Sequence, residues 1–334
     1  MDTSELREHV RETALNVAWG QLGKLGVPTS LGWNGTAALD PEALIIFSLD
    51  IGRWDARVFE ATLDWLRRNG RLLSAQRLAN LVREDELGGR LVGAALTWAR
   101  KHGGDLRPVT PSARKASPEV LFGGKGWREA DPAFLAFGFE RSEVVPSLKA
   151  WSPRLDDPVN LGLRLRRLLG VGARSEIIRF LLTWPGPHSD VADIARSAGF
   201  AKRNVAAMLV DLAAAGTVRS YRDGNRDRYS IDRARWAAFL EMDADEVPGF
   251  IDWPALYSAL RGIHCWLSQD GVDDLSNQTR ASEARQLVAE LRPMLDRAGV
   301  RAVKRGTADE YWPSFIQTVE NSLAQLSPVG SPAP

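Results

Sequence analysis

The chain has 334 residues, 44% hydrophobic and 25% charged, which is the make-up of ordinary globular protein with room for two or three domains. Disorder, collagen and coiled-coil rods are excluded as whole-chain descriptions, and a single cysteine, Cys265, rules out a disulfide scaffold and fits a reducing cytoplasm. Lys and Arg number 43 against 42 Asp and Glu, a net charge of +1, so the total points to neither nucleic acid, membrane nor acidic substrate.

Near the N-terminus the longest apolar stretch is Ala43–Phe47, far short of the roughly 20 residues a membrane span needs. The expectation is a soluble, untargeted, cytoplasmic protein. Leu6, Val10, Ala14 and Val17 recur at helical spacing. Asp40-Pro41-Glu42 supplies a cap, a first-turn proline and a dipole-complementing acid, predicting a helix from about Pro41 to Leu49. Asp55–Arg68 places Val58, Phe59, Thr62, Leu63 and Leu66 on one face and ends at Asn69-Gly70. Ser74–Arg83 and Leu87–Lys101 extend the pattern, so 1–103 is expected to be an all-helical domain.

Residues 104–160 predict an irregular connector, because Pro108, Pro111, Ser117-Pro118 and Gly123-Gly124 are too close together for long elements. Phe134, Phe137 and Phe139 are expected to anchor its later part. The twelve tryptophans are expected in interiors or interfaces.

The charge is segregated. Leu161–Leu240 contains 14 Lys/Arg and 7 Asp/Glu, a net +7, while 29 Lys/Arg and 35 Asp/Glu elsewhere leave −6. This is the asymmetry that nucleic-acid contact calls for. Within the segment, Gly170–Trp184 predicts a helix with Ile177, Ile178, Leu181 and Leu182 inward, stopped by Pro185-Gly186-Pro187. Ser189 or Asp190 caps a second helix carrying Val191, Ile194, Ala195 and Ala198 on one face. Gly199 turns the chain into a third helix from about Ala201 to Ala214, with Val205, Met208, Leu209 and Leu212 buried and Gly216 at its end. Strands Thr217–Arg222 and Arg228–Ile231 flank the hairpin turn Asp223–Asp227.

Helix, helix, turn, helix and a two-stranded wing is the order of a winged helix-turn-helix. The run Ala201–Ile231 resembles the recognition helix and wing of the ArsR and MarR classes of bacterial transcription regulator. The likeness rests on the Val205–Leu209–Leu212 spacing, Gly216, Val218-Arg219, the charged wing tip and Tyr229, and covers about residues 170–231. It implies DNA binding by the third helix and wing. ArsR-type proteins often sense metals through paired cysteines near the first helices of the motif; Ile194–Ser197 holds none here, so metal sensing is not carried over.

At 100° per residue the face opposite the buried stripe passes through Arg203, Ala207, Val210 and Ala214, flanked by Asn204, Ala206 and Lys202. Arg203 suits a bidentate guanine contact, and Asn204 an adenine or a phosphate. Ala206 and Ala207 allow close approach to the major groove, and Lys202 suits phosphate. Arg222, Asn225, Arg226 and Arg228 surround a wing tip expected at the backbone or minor groove, with Asp223 and Asp227 softening the field.

Beyond it, 246–326 is expected to be a C-terminal helical domain of three helices. These begin at Asp252-Trp253-Pro254, run through Ala284–Leu295 with Pro293 kinking the end, and run through Trp312–Leu326. The tail 327–334 has the composition of disorder. No enzyme motif survives inspection. Gly170-Val171-Gly172 lacks a preceding strand and a third glycine, and Gly123–Gly126 with Lys125 lacks phosphate-loop spacing. His9, His102, His188 and His264 have no companion at metal spacing. The expected protein is mainly α and not an enzyme, without metal or cofactor. Its central winged helix-turn-helix (161–245) is expected to bind double-stranded DNA as a transcriptional regulator, a homodimer matching a near-palindromic operator. The alternative is an antitoxin-like module that docks a protein partner or autoregulates its operon.

Overall fold

Capping side chains fix where the first helices begin. In the computed structural model, which describes residues 1–106, 118–122, 130–302 and 308–327, α1 (Thr3–Lys24), α2 (Pro41–Ile51), α3 (Ala56–Asn69), α4 (Ala75–Leu81) and α5 (Glu86–Lys101) start at Asp2, Asp40, Asp55, Ser74 and Asp85. Each of these side chains accepts a backbone N–H of its own first turn. Every residue of α2 is buried, so it is the central helix around which the others pack, in contact with α1, α3, α4 and α5.

The stretch expected to be an irregular connector contributes to this core. A short parallel pair, β1 (Glu119–Val120) with β2 (Phe139–Glu140), flanks α6 (Pro132–Leu135), and Phe134 and Phe139 are fully buried. Farther on, the Asp64 carboxylate pins 147–150, accepting from Ser147 Oγ and from the backbone N–H of Leu148, Lys149 and Ala150 at 2.8–3.1 Å. These contacts join residues about 80 apart in the chain, so local composition reads as loop while long-range packing holds the segment. Lys125 and the 123–126 glycines, and 328–334 of the tail, lie outside the described residues.

The C-terminal helices α12 (Trp253–Leu267), α13 (Asn277–Arg297) and α14 (Ala308–Ala324) close onto α1 and α2. The first and last helical segments therefore share one core, running from Leu6 to Leu163 and resuming from Ile251 to Leu326. Buried indoles stitch it: Trp65 donates to the Leu25 carbonyl at 2.7 Å, Trp253 to Ala38 at 2.7 Å and Trp33 to Leu326 at 2.8 Å, each satisfying the polar edge of a large apolar ring. α13 continues through Pro293 to Arg297.

A second core lies between these halves of the chain. It is formed by α7 (Leu161–Leu169), α8 (Ala173–Thr183), α9 (Val191–Ala198), α10 (Lys202–Ala214) and α11 (Arg233–Phe239), together with a small antiparallel sheet. The sheet has the order β3 (Ser189–Asp190), β5 (Arg226–Ser230), β4 (Arg219–Asp223). The two chain crossings of this unit sit side by side on one extended segment: Leu39 N–H donates to Val159 O at 2.8 Å and Ala38 N–H to Gly249 O at 2.9 Å. The protein is mainly helical, and no described helix is long and apolar enough to cross a membrane.

Candidate functional site

Asp190 organises the start of the site. As the N-cap of α9 it accepts from Ala192 N–H at 2.9 Å and Asp193 N–H at 3.0 Å, and those donors, Asp193 first, hold its carboxyl below the usual range. Its backbone pairs with Arg228 in the sheet, and its carboxylate lies 3.7 Å from both Arg226 and Arg228. Asp190→Ala is expected to lower stability by about 1 kcal/mol, the usual worth of an N-cap, seen as a lower urea midpoint; an unchanged midpoint would show that the cap is replaceable.

Between α9 and α10 the chain turns at Gly199 with φ +72°, a left-handed conformation that glycine adopts without strain. In α10, Val205, Leu209 and Leu212 are buried and Met208 half-buried. Lys202, Arg203, Asn204, Ala207, Val210 and Ala214 are exposed, Val210 to 63%. Ala206 corrects the expected face: it is half-buried, because at 100° per residue it falls next to the Val205–Leu209 stripe.

The hairpin is tighter than its composition implied. Asp223 pairs with Arg226, leaving a two-residue turn, Gly224-Asn225, with Gly224 at φ +59°. Arg222, Asn225 and Arg226 are exposed. Arg228 is the second correction: only 22% of its side chain is exposed, held by Asp190 and, at 3.3 Å, by Asp223, so it braces the sheet instead of reaching outward. Lys202 and Arg203 have no ion pair among the described residues, and Arg222 is restricted to a long contact from Nε to the Gly224 carbonyl, 3.4 Å.

Two further arginines of the basic segment are not at the surface at all. Arg166 and Arg179 turn inward with Glu176 to meet Asp40, Glu42 and Arg77 of the first core, and all six side chains are at most 3% exposed. Arg166 binds Glu42 at 2.6 Å and Glu176 at 2.7 Å, Arg77 binds Glu42 at 2.9 Å and also Asp40, and Arg179 binds Glu176 at 2.9 Å. Burial by itself raises the Glu176 carboxyl, but the guanidiniums of Arg166, Arg179 and Arg77 outweigh it and hold it far below the usual carboxylate range. Arg77 also donates to the carbonyls of Ala198 (2.8 Å) and Ser197 (3.3 Å) at the end of α9. The helix that precedes the turn is thus bolted to the helical body.

Asn204 and Ala207 of α10 line a cavity against that body, together with Gly199–Ala201 and Asn80. The sequence-derived residues therefore divide. Lys202, Arg203, Arg222, Asn225 and Arg226 face solvent away from the cavity lining, while Asn204 and Ala207 sit at its edge. The six-residue charge cluster and the cavity escaped the sequence reading. Their only local trace is an acid at each end of an otherwise apolar helix, Glu42 and Asp50. Among the described residues no group of His, Cys, Asp and Glu has metal-holding geometry. Compared with known proteins, the chain matches no family model, no curated protein and no solved structure.

Proposed function

We propose that residues 161–245 are a winged helix-turn-helix that reads double-stranded DNA, and that the protein is a DNA-binding transcriptional regulator. The observation that carries this reading is the pairing of an exposed α10 face with a following exposed hairpin, both bearing exposed cations: Lys202, Arg203 and Arg222 have no ion pair among the described residues, and Arg226 only a long one, 3.7 Å to Asp190. α10 enters the major groove with Arg203 on a guanine edge and Asn204 beside it. Lys202 and the hairpin arginines hold phosphates and supply affinity without sequence choice. Two copies on a near-palindromic site, half-sites about one helical turn apart, would enlarge a small interface; a monomer by light scattering both free and on DNA would remove that part.

The test is selection from randomised duplex DNA followed by titration. Wild type is expected to enrich a motif, with affinity falling steeply as salt rises. Arg203→Ala should cost about 1–3 kcal/mol and relax choice at one base pair, while Arg226→Ala should weaken all sequences alike and reduce the salt slope by about 1. No enriched motif, or full affinity in both variants, would sink the reading.

A second reading rests on the apolar strip Ala207, Val210 and Ala214 along α10, with Tyr221 45% exposed on the hairpin. Such a face suits a protein partner, as in an antitoxin-like module. It predicts that Val210→Asp abolishes function while Arg203→Ala leaves it intact, the reverse of the DNA reading.

A further inference from the structure

A cavity of about 1480 Å³ runs between the helical body and α9–α10. It exceeds the ~300–1,000 Å³ usual for small-molecule sites, and its lining is chemically mixed. Arg261 on its floor is spent on Asp50 and Asp85, Arg297 on Asp252, Arg11 on Glu8 and Arg196 on Asp193.

Two guanidiniums remain under-neutralised. Arg53 is 3.5 Å from Glu119, a carboxylate that Arg90 already holds at 3.0 Å, and the buried Arg53 Nε has no acceptor among the described residues. Among the described residues Arg83 reaches only the Asn80 side-chain oxygen. Against them stands one exposed rim acid, Glu84. Next to Arg53, Trp54 is 41% exposed, although most of the described tryptophans are covered; it leans on His264 with ring centroids 4.2 Å apart. Ser258 and Gln269 also line the space, and their side chains hold no hydrogen bond among the described residues.

We propose that this cleft binds a nucleotide, its base on the open face of Trp54, its phosphates on Arg53 and Arg83, and its polar edges on Ser258 and Gln269. An aromatic platform beside under-neutralised guanidiniums selects a flat ring that carries anionic charge. A neutral apolar ligand would leave the arginines unanswered, and an inorganic anion would leave the platform bare. The opposite wall is α10 itself, through Asn204 and Ala207. A nucleotide spanning both walls therefore holds α10 against the body and opposes its use on DNA, and by linkage DNA weakens the nucleotide equally. This regulatory half rests on the DNA reading above; the binding half does not.

Anisotropy of the methylanthraniloyl derivatives of ATP and GTP, titrated with the full chain in the absence of DNA, tests the site. Saturable binding with a Kd on the order of 10 µM is expected for at least one of them. Trp54→Ala and the double variant Arg53→Ala/Arg83→Ala should each weaken it at least tenfold. Trp54→Phe should retain it, as should Trp151→Ala, whose side chain is exposed outside the cleft. Displacement by the unlabelled nucleotide and not by tripolyphosphate or a single-stranded decathymidylate supports a free nucleotide; equal displacement by the oligonucleotide overturns it in favour of a strand. No saturation with either derivative, or unchanged affinity in the cleft variants, overturns the proposal. With the selected duplex, addition of the bound nucleotide should weaken DNA binding at least fivefold. An unchanged DNA affinity overturns the regulatory half, and complete absence of DNA binding overturns that half together with the DNA reading while leaving the nucleotide result to stand by itself.

Discussion

Arg77→Ala should destabilise the protein by about 3–5 kcal/mol, the cost of removing one member of a buried ion-paired group. Arg77 is fully buried, and its loss leaves Asp40 and Glu42 with one counter-ion fewer in a space water does not reach. The destabilisation comes mainly from that uncompensated charge, because the intact cluster of three acids and three arginines gains little over an apolar replacement once desolvation is counted. The same change removes the donors to the carbonyls of Ala198 and Ser197, so α9 and the Gly199 turn should loosen more than the rest of the second core. Urea unfolding measures the first effect, and hydrogen exchange of the α9–α10 amides relative to those of α2 measures the second. A midpoint shift worth less than about 1 kcal/mol, with uniform exchange, would show that the cluster neither stabilises the fold nor joins its two parts.

Acid should destabilise the protein in two separate steps. Burial, aided by Arg11 and Arg7 and opposed by Asp50 and Glu8, pushes the His264 imidazole down to about 4 from 6.5. Its other neighbours are the Trp54 ring and Ser268 Oγ at 3.4 Å. The unfolded chain therefore takes up a proton near pH 6.5 that the native state refuses until about pH 4. Stability is complete above the unfolded value and declines as pH falls through this window, by about 3 kcal/mol in all. Glu176 and Asp40, both lowered by their arginines despite burial, act below it: their contribution is present above the unfolded carboxylate range and is lost as pH falls toward their depressed native values. His264→Gln should remove the first slope and leave the second. Urea midpoints at half-unit steps from pH 7.5 to 3, for wild type and variant, check this, and parallel curves between pH 6.5 and 4 would refute the role given to His264.

The helix starts were legible in the sequence because capping and hydrophobic periodicity involve residues within a few positions of one another. Asp40 caps the helix expected of it and Asp190, one of the two residues offered, caps the next, while Asp55, Ser74 and Asp252, where three further helical stretches were expected to begin, are the caps of theirs. The inward stripe of α10, the Gly199 turn and the existence of the hairpin were legible for the same reason. The strand partner β3 was not, since two residues offer no alternation to detect, and Ser189-Asp190 displayed only a capping signal.

Charge was where local reading misled most. The surplus in 161–240 includes Arg166 and Arg179, which lie beneath the surface, and Arg228, which braces the sheet. Nothing near Arg166 in the sequence indicates Glu42, 124 residues away; only the docking of α7 on α2 brings them together. The cavity is likewise the product of surfaces from α2, α4, α10 and α12, and no short segment carries its shape. What the sequence by itself determined is most of the longer helices, the hairpin and their inward faces, because propensity, capping and periodicity act between neighbours. Tertiary structure alone decided which charges are spent inside, which tryptophan stays open beside Arg53, and that the first and last helices close into one core around an inserted unit, because those outcomes depend on contacts between separate elements, many of them a hundred or more positions apart, as Arg166 with Glu42 and Arg261 with Asp50 are.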